Sequence, residues 1–339
     1  MKILVDINHP SQVHLFKYVI KELRNRGHEV IITASQKDVS FRLLDEYDFD
    51  YIRMGSYGDR LVQKLFKLFV LDFRMLRIVW KYKPDVLTGL GSFRAAHAGF
   101  LFGKKTIILE DTEHSTEQIA LYKPFATKIL TPACFMTDLG SRQVRYEGCH
   151  ELAYLHPKYF KADPTLLDKW GVSRTEKFAV VRFVSWKASH DIGQYGFANE
   201  QKLNFIKELA KYARPYITSE APLPGEFEPY RLKIPVHQIH HLMAFAALYV
   251  GEGATMASES AILGVPAVYV STLKLGNMDM FESYGLLKQT ADTQQAIKYC
   301  IERLTDPTAK EKCRTAREKF LAEKIDVTAF IVETIEQAK

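Results

Sequence analysis

Cysteine is scarce in this sequence, and the long apolar runs of membrane-spanning proteins are missing. The cysteines, Cys134, Cys149, Cys300 and Cys313, form no C-x-x-C pair, so no disulfide framework is expected. No apolar segment approaches the roughly 20 residues that a membrane span requires. The chain opens directly on a strand-like segment, KILVD at residues 2–6, and not on a signal peptide. These absences favour a cytoplasmic protein.

The glycine motif of dinucleotide-binding enzymes is also missing. A nicotinamide dehydrogenase needs G-x-G-x-x-G after its first strand, but residues 6–12 read DINHPSQ. The segment GKKT at 103–106 is similar to part of a P-loop, yet its spacing is wrong and it leads into a strand. The sequence therefore indicates neither class.

The composition is that of a globular protein with more than one core. A length of 339 residues allows two domains of ordinary size, and 47% apolar with 25% charged residues is typical of soluble proteins. The net charge of +6 suits anionic substrates or an anionic membrane surface. It does not require nucleic acid, and no nucleic-acid partner is predicted.

Strand-like and helix-like segments alternate along nearly the whole chain, which predicts α/β units with parallel sheets. The pattern loosens between Glu147 and Asp168, where Gly148, Pro157 and Pro164 interrupt it. We therefore expect two domains, residues 1–155 and 156–339. This division leaves open whether the terminal helices pack back on the first domain.

The segment from Gly253 to Pro266 is the most informative part of the sequence. It lies between two apolar strand-like runs and reads as a glycine turn followed by a short helix, with Gly264 placed to end that helix. A helix N-terminus suits a phosphate group. Glu259 lies roughly 7.5 Å further along the axis, at about 1.5 Å per residue, where a carboxylate can accept from ribose hydroxyls. Alternatively, this is an ordinary βαβ unit with Glu259 on its solvent face.

The spacing G-x(5)-E-x(4)-G-x-P resembles the donor-nucleotide motif of the GT-B superfamily, in which the glutamate binds the ribose. The element order is similar to that of the lipid II-forming N-acetylglucosaminyltransferases and of the non-hydrolysing UDP-GlcNAc 2-epimerases. It also resembles a bacterial and archaeal family known only as a domain of unknown function. The resemblance implies a GT-B fold, with two Rossmann-like domains of parallel sheets facing across a cleft that holds the active site.

The same resemblance implies a donor site in the second domain. The region after strand Phe178–Phe183 is closer to the epimerases, where basic side chains replace a glycine loop, than to the lipid II enzymes. His237 is a candidate for contact with the nucleotide base. The candidate donor-binding residues are Arg182, Ser185, Lys187, His190, His237, Gly253, Ala254, Thr255 and Glu259.

Candidate catalytic residues lie in the first domain. His14 matches by position a cleft-facing histidine of many GT-B transferases, and histidine suits proton removal near neutral pH; alternatively, His9 and His14 cap or pack the first helix. Glu110, Asp111 and Glu113 follow the strand that corresponds to an active-site strand of the epimerases. Which carboxylate is catalytic stays open.

Two loops of the first domain are candidates for acceptor binding. Asn8 and Gln12 follow the first strand. Gly91 and Ser92 belong to a segment that resembles the glycine loop of the lipid II enzymes, whose N–H groups can hold a phosphate. The alternative for this segment is a tight turn that needs glycine for a positive φ.

Two patterns imitate metal sites. Asp48-Phe49-Asp50 matches the D-x-D of metal-dependent glycosyltransferases but lies outside a nucleotide-binding context. His237, His240 and His241 could share a helix face, but a zinc site needs further ligands. We therefore predict neither metal nor cofactor.

The helix predicted from Arg60 to Lys83 combines basic and bulky apolar residues. Such a helix either packs on the core with a solvated polar face or lies on an anionic membrane. The predicted function is a metal-independent transferase that moves a sugar from a nucleotide-sugar, UDP-linked, to a surface-polysaccharide or glycolipid acceptor. The alternatives are a UDP-sugar 2-epimerase and a non-catalytic nucleotide-sugar-binding protein. The location is the cytoplasm, including the inner membrane face.

Overall fold

The computed structural model describes residues 1–55, 61–184, 199–219, 224–231 and 233–338. The chain divides into two compact units, one of Met1–Tyr154 with Ile325–Lys339 and one of Leu155–Lys324. Each unit is built on a parallel sheet, with seven strands in the first and five in the second over the described ranges. Strands alternate with helices along the chain, as in α/β proteins.

The first sheet consists of near-continuous apolar runs, because the strands of a parallel sheet are buried on both faces. Its strands are β1 Lys2–Ile7, β2 Glu29–Ser35, β3 Ile52–Gly55, β4 Val86–Leu90, β5 Lys105–Leu109, β6 Lys128–Pro132 and β7 Gln143–Tyr146. They lie in the order β3-β2-β1-β4-β5-β6-β7. The strands beside β1 pair with it in parallel register, with Ile3 opposite Val30 and Val86.

Small side chains let helices approach this sheet closely. The helices of the first unit are α1 Pro10–Asn25, α2 Ser40–Glu46, α3 Leu61–Tyr82, α4 Phe93–Leu101, α5 Thr116–Tyr122, α6 Leu152–Leu155 and α14 Val327–Glu336. Ala95, Ala96 and Ala98 of α4 are fully buried in the core with Leu87 and Ile108. A bulkier residue on this face would push α4 away from the sheet.

The second unit repeats the pattern with shorter strands. They are β8 Phe178–Phe183, β9 Arg214–Ser219, β10 Leu248–Gly251, β11 Ala267–Val270 and β12 Leu287–Thr290, in the order β12-β11-β10-β8-β9. The helices are α7 Thr165–Lys169, α8 Asn199–Leu209, α9 Ile239–Met243, α10 Ala254–Leu263, α11 Gly276–Ser283, α12 Thr293–Thr305 and α13 Ala309–Glu323.

Most strands occur where the apolar runs predict them, and β8 and β11 have the predicted bounds. The apolar run before Gly253 begins at Ala246 and predicts a strand from there, but β10 begins only at Leu248. The sequence analysis missed several elements, among them β7, β12, α2 and α11. β7 alternates polar and apolar residues over only four positions, and β12 has a single apolar residue in four, so neither shows a period that can be recognised.

The last helix belongs to the first unit. The boundary between the units falls between Tyr154 and Leu155, next to the predicted boundary at 155, and α14 packs on α1. The Glu336 carboxylate on α14 lies 2.9 Å from Arg26 Nη1 and 2.8 Å from His28 Nε2. Residues 325–339 are thus part of the first unit and not of the second.

The exposed side of α3 carries aromatic and basic residues. Phe69, Phe73 and Trp80 are 75%, 61% and 71% exposed. Arg77 and Lys81 are exposed beside them. Over the described residues, no helix combines the length and the apolar character needed to cross a membrane.

Candidate functional site

The predicted strand–turn–helix–strand unit of the second domain is β10, the turn Gly251–Gly253, α10 and β11. Gly264 follows α10 in the left-handed conformation, with φ +77°, as its predicted role in ending the helix requires. The Arg317 Nε–H donates to the Ile262 carbonyl at 2.5 Å. A cation therefore lies at the negative end of the helix dipole.

The turn before α10 is packed tightly against β8. A side chain at Gly251 would place a Cβ 2.6 Å from the Tyr249 hydroxyl and 2.8 Å from the Arg182 carbonyl oxygen, so only glycine fits. The Tyr249 hydroxyl donates to the Gly253 carbonyl at 3.2 Å. The predicted donor residue Arg182 is thus beside the turn, with its side chain half-buried at the end of β8.

The N-terminus of α10 has the geometry of an anion site. Gly253 is the N-cap in an extended conformation, and within the described ranges no side chain caps the helix. The first helical backbone bond runs from the Ala257 N–H to the Gly253 carbonyl at 3.2 Å. The N–H groups of Ala254 and Thr255 precede it at the positive end of the helix dipole. This end can accept a phosphate without rearrangement of the backbone.

Glu259 is not on a solvent face. The residue is 4% exposed, and its Oε1 lies 2.9 Å from Nε2 of His240 on α9. The alternative of an ordinary exposed glutamate is therefore wrong. α10 is buried on nearly all sides, from Ala257 through Ile262, so a hydrophobic period could not reveal which face was inside.

Two of the three histidines considered as a metal site have separate partners. His237 lies in the 3-10 turn Val236–Gln238. His240 pairs with Glu259, and Nδ1 of His241 accepts from the Asp163 N–H at 3.0 Å. Across the described parts of the chain, no three His, Cys, Asp or Glu side chains are grouped to hold a metal ion.

A buried carboxylate, Glu252, was missed by the sequence analysis. Its Oε2 accepts from the Val184 N–H at 2.9 Å and lies 4.0 Å from Lys202 Nζ. It thereby fixes the chain immediately after β8. The signal in the sequence was a charged residue between two glycines at the end of a buried strand. Three predicted donor residues, Ser185, Lys187 and His190, lie outside the described residues.

In the first unit, a buried ion pair ties together the carboxyl ends of three strands. Asp6 and Arg94 are both 0% exposed, and Arg94 Nη2 donates to Asp6 Oδ1 at 2.8 Å. Arg94 Nη1 donates to Ser35 Oγ at 2.9 Å, and the Ser92 hydroxyl donates to Asp6 Oδ2 at 2.5 Å. Asn8 donates to Asp6 at 3.1 Å and accepts from Arg94. Arg94 was not predicted as a site residue.

The four predicted acceptor residues lie together at this edge, and their hydrogen bonds are internal. The Asn8 N–H donates to Gln12 Oε1 at 2.6 Å, and Gln12 Nε2 donates to the Leu90 carbonyl at 3.3 Å. The Gly91 N–H, expected to hold a phosphate, instead donates to Leu109 at 2.8 Å. Gly91 has φ +55°, which agrees with a turn that needs glycine; a role in acceptor binding stays a prediction.

Glu110 is a buried carboxyl at the end of β5. Its Oε1 accepts from the N–H groups of Asp111 and Thr112, both at 3.0 Å, and its Oε2 accepts from the Tyr122 hydroxyl at 2.8 Å. Burial and the charge of Asp111 raise the pKa of Glu110 to about 8, although these hydrogen bonds act in the opposite direction.

Asp111 has the opposite shift. Burial raises its pKa, but the charge and the hydrogen bond of His150, whose Nδ1 lies 3.0 Å from Asp111 Oδ2, act together with a hydrogen bond from Thr112 and leave that pKa below its ordinary value. His150 follows β7, which the sequence analysis also missed. The Glu113 carboxylate accepts from the Met136 N–H at 3.3 Å and is buried. Asp111 is thus the most exposed of the candidate carboxylates and is more readily ionised than Glu110.

His14 lies inside α1 and not on the loop before it. Its Nδ1 lies 3.2 Å from the Tyr47 hydroxyl, and its ring stacks on Tyr154 at 5.6 Å. His9 is the N-cap of α1 and accepts from the Ser11 N–H at 3.3 Å. His14 packs on neighbouring rings and His9 caps the helix, which is the alternative interpretation of these two residues. A catalytic role for His14 stays a prediction.

The raised pKa of Glu110 predicts a pH-dependent stability. Between about pH 4.5 and 8 the folded protein holds a proton that the unfolded chain releases, so the free energy of unfolding falls as pH rises, by at most about 1.4 kcal/mol per pH unit. Glu110→Gln keeps the acceptor oxygen without the titration and should flatten this slope. Urea unfolding from pH 5 to 8 measures it; equal slopes in both proteins would contradict the raised pKa.

Solved structures share this architecture at low sequence identity. A UDP-GlcNAc 2-epimerase from Neisseria meningitidis, bound to UDP-GlcNAc, is 15% identical, with a TM-score of 0.71 over 99% of this chain and 100% of that chain. MurG from Acinetobacter baumannii is 16% identical, with a TM-score of 0.61 over 99% and 100%. These similarities and the two parallel sheets show a GT-B α/β fold.

At the level of sequence, an uncharacterized protein from Methanocaldococcus jannaschii is 23% identical over 322 residues, which are 90% of this chain and 92% of the relative. A model of a family described as a protein of unknown function, DUF354, matches residues 1–338. The chain therefore belongs to the DUF354 family.

Proposed function

We propose that this protein is a metal-independent glycosyltransferase that transfers a sugar from a UDP-linked donor to a surface-polysaccharide or glycolipid acceptor. The observation that carries the proposal is the buried Glu259 on α10. It lies roughly 7.5 Å along the helix from an N-terminus suited to a diphosphate, at about 1.5 Å per residue. His240 Nε2 lies 2.9 Å from Oε1 of this buried carboxylate, and we propose that the hydroxyls of a ribose donate to the same carboxylate at that distance.

The donor diphosphate is proposed to lie at the N-terminus of α10. The N–H groups of Gly253, Ala254 and Thr255 would donate to it, and Arg182 beside the turn would supply positive charge. Such groups can stabilise the departing diphosphate without a metal ion. Ser185, Lys187, His190 and His237 remain proposed donor contacts. The epimerase of the same fold was solved with UDP-GlcNAc, which supports a UDP-sugar as the donor class.

The first unit is proposed to receive the acceptor. Asn8, Gln12, Gly91 and Ser92 would shape this edge through the bonds of the Asp6–Arg94 network, and their backbone would line it. We propose Asp111 as the base that removes the proton of the attacking hydroxyl. It is ionised and more exposed than Glu110 or Glu113. His14 would act as the base only if Asp111 does not.

A UDP-sugar 2-epimerase is the second candidate. The observation that favours it is the pair of adjacent carboxyls, Glu110 and Asp111, whose pKa values are shifted in opposite directions. A protonated acid beside an ionised base is the arrangement that proton transfer on a sugar ring requires. Against it, no arginine takes the place that the epimerase motif gives one in residues 110–118. A non-catalytic nucleotide-sugar-binding protein is the third candidate.

The donor site predicts that Glu259→Gln weakens UDP binding by about 1.5–3 kcal/mol, the usual cost of losing a hydrogen bond to a charged group. Titration calorimetry with UDP and UDP-GlcNAc measures this, with circular dichroism to check the fold. Glu282→Gln, on α11 of the same unit, is the control and should bind as the wild type does. Equal affinities for wild type and Glu259→Gln would remove the proposed ribose contact.

The reaction class is tested by incubating the protein with UDP-GlcNAc in deuterated water. An epimerase would exchange the hydrogen at C2, whereas a transferase leaves C2 intact and releases UDP when an extract of cellular lipids and polysaccharides supplies the acceptor. Asp111→Asn should lower the rate about 10²–10⁴-fold while leaving UDP affinity unchanged. Full activity in Asp111→Asn would transfer the role of base to His14, for which His14→Asn is the matching variant.

Contact with a membrane surface is proposed for α3. Phe69, Phe73 and Trp80 recur at helical spacing on its exposed side, with Arg77 and Lys81 next to them. Bulky apolar residues beside cations are the pattern of helices that lie on anionic bilayers. This surface would bring the first unit to a lipid-linked acceptor.

Replacing Phe69, Phe73 and Trp80 together by serine should reduce binding to vesicles that contain phosphatidylglycerol by more than about tenfold, because each side chain loses roughly 1.5–3 kcal/mol of apolar burial. Co-sedimentation measures the bound fraction. Tyr212→Ser, at an exposed aromatic of the second unit, is the control. Unchanged binding in the triple variant, or no binding by the wild type, would leave α3 as an ordinary surface helix.

A further inference from the structure

We propose that His240 is a positioning residue that holds the Glu259 carboxylate toward the ribose of a bound nucleotide. It would thereby set a preference for ribonucleotides over 2′-deoxyribonucleotides. This inference rests on the donor site proposed above. It concerns a residue that is not among the predicted donor-binding residues, and whose partner only the structure reveals.

The contact joins the helix before β10 to the helix after it. His240 lies on α9, before the strand, and Glu259 lies on α10, after it. His240 Nε2 is 2.9 Å from Glu259 Oε1, an ordinary hydrogen-bond distance between nitrogen and oxygen. The two residues are 2% and 4% exposed. Water therefore competes little with this bond.

The imidazole is held on its other sides. The ring of Phe160 meets the His240 ring edge-on, with centroids 6.3 Å apart. The next residue, His241, accepts from the backbone N–H of Asp163 at 3.0 Å and packs on Phe160 at 4.9 Å. α9 and the segment before α7 thus fix the direction from which His240 donates.

Orientation matters because a glutamate side chain has three rotatable bonds. A carboxylate has about four positions at which it accepts hydrogen bonds, so one bond from His240 does not use up its capacity. It restricts the rotations and fixes the direction in which the remaining lone pairs point. A carboxylate placed in advance binds a diol with a smaller loss of conformational entropy.

The preference for ribose follows from the same geometry. A carboxylate that accepts from both ribose hydroxyls loses one hydrogen bond when the 2′-hydroxyl is missing, and a site built around a hydroxyl discriminates against ligands that lack it. If His240 no longer holds Glu259, the carboxylate can turn away from the sugar. The affinity for UDP should then fall toward that for 2′-deoxy-UDP.

The experiment measures Kd for UDP and 2′-deoxy-UDP by titration calorimetry on the full chain. We expect the wild type to prefer UDP by roughly tenfold or more, the equivalent of one hydrogen bond to a charged group. His240→Leu should lose most of this preference through weaker UDP binding, with the affinity for 2′-deoxy-UDP nearly unchanged. Glu259→Gln should lose it as well, and the double variant should lose no more than Glu259→Gln alone.

Two further variants separate positioning from general packing. His240→Gln keeps a donor that can reach Glu259 and should restore much of the preference, whereas His240→Asn is too short and should not. His241→Leu removes the neighbouring imidazole, which accepts from the Asp163 N–H, and should keep the wild-type ratio. If His240→Leu fails to fold, the comparison of His240→Gln with His240→Asn carries the test.

The outcomes distinguish the inference from the function on which it rests. A wild type that binds no UDP, or that binds both nucleotides equally, overturns the proposed donor site. A wild type that prefers UDP, with the preference lost in Glu259→Gln but retained in His240→Leu and His240→Asn, leaves that site standing and overturns the role of His240. An equal loss of the preference in His240→Leu and His241→Leu would also overturn it, because the loss would then come from disturbed packing and not from the missing bond to Glu259.

Discussion

Parallel strand pairing is the constraint on which the candidate sites of both units depend. When neighbouring strands run in the same direction, their carboxyl ends meet at one edge of the sheet, and the loops that leave them collect there. In the first unit this edge gathers Asp6, Ser35 and Glu110 from β1, β2 and β5. In the second unit it brings Arg182 beside the turn after β10. Chemistry-bearing residues far apart in the chain thus become neighbours.

Each unit also contains a buried pair of polar side chains, Asp6 with Arg94 in the first and Glu259 with His240 in the second. Removing an ion from water costs several kcal/mol before pairing offsets it. Apolar residues would stabilise the fold as well or better, so stability alone does not account for them. These pairs fix the orientation of the groups that they bind. Arg94 holds the ends of β1 and β2 and the loop after β4 in one arrangement, and His240 fixes the position of one oxygen of Glu259.

The predictable part of this molecule is the part that depends on local patterns. Apolar runs identified strands such as β8 and β11, and the spacing from Gly253 to Pro266 identified α10 and its ends. Contacts between residues far apart in the chain were not predictable. Asp6 and Arg94 are 88 residues apart, and nothing in the sequence around either residue points to the other. His150 escaped notice for the same reason, since it faces Asp111 only after β7 joins the sheet. Glu259 could not be assigned a face because its helix is apolar or small nearly all round.

The composition of α10 follows from what surrounds it. The helix packs beside β10 and β11 and against α9, α11 and α13, and small buried residues such as Ala257, Ala261 and Ser258 let these elements approach it closely. Because α10 is buried on nearly all sides, charged groups can compensate its dipole only at its two ends. Arg317 occupies the C-terminal end. The N-terminal end begins at a glycine that has no capping side chain to offer. A diphosphate bound at the N-terminus would compensate the helix dipole at that end. Glu259, which His240 holds, would then lie at the distance at which the ribose follows the diphosphate.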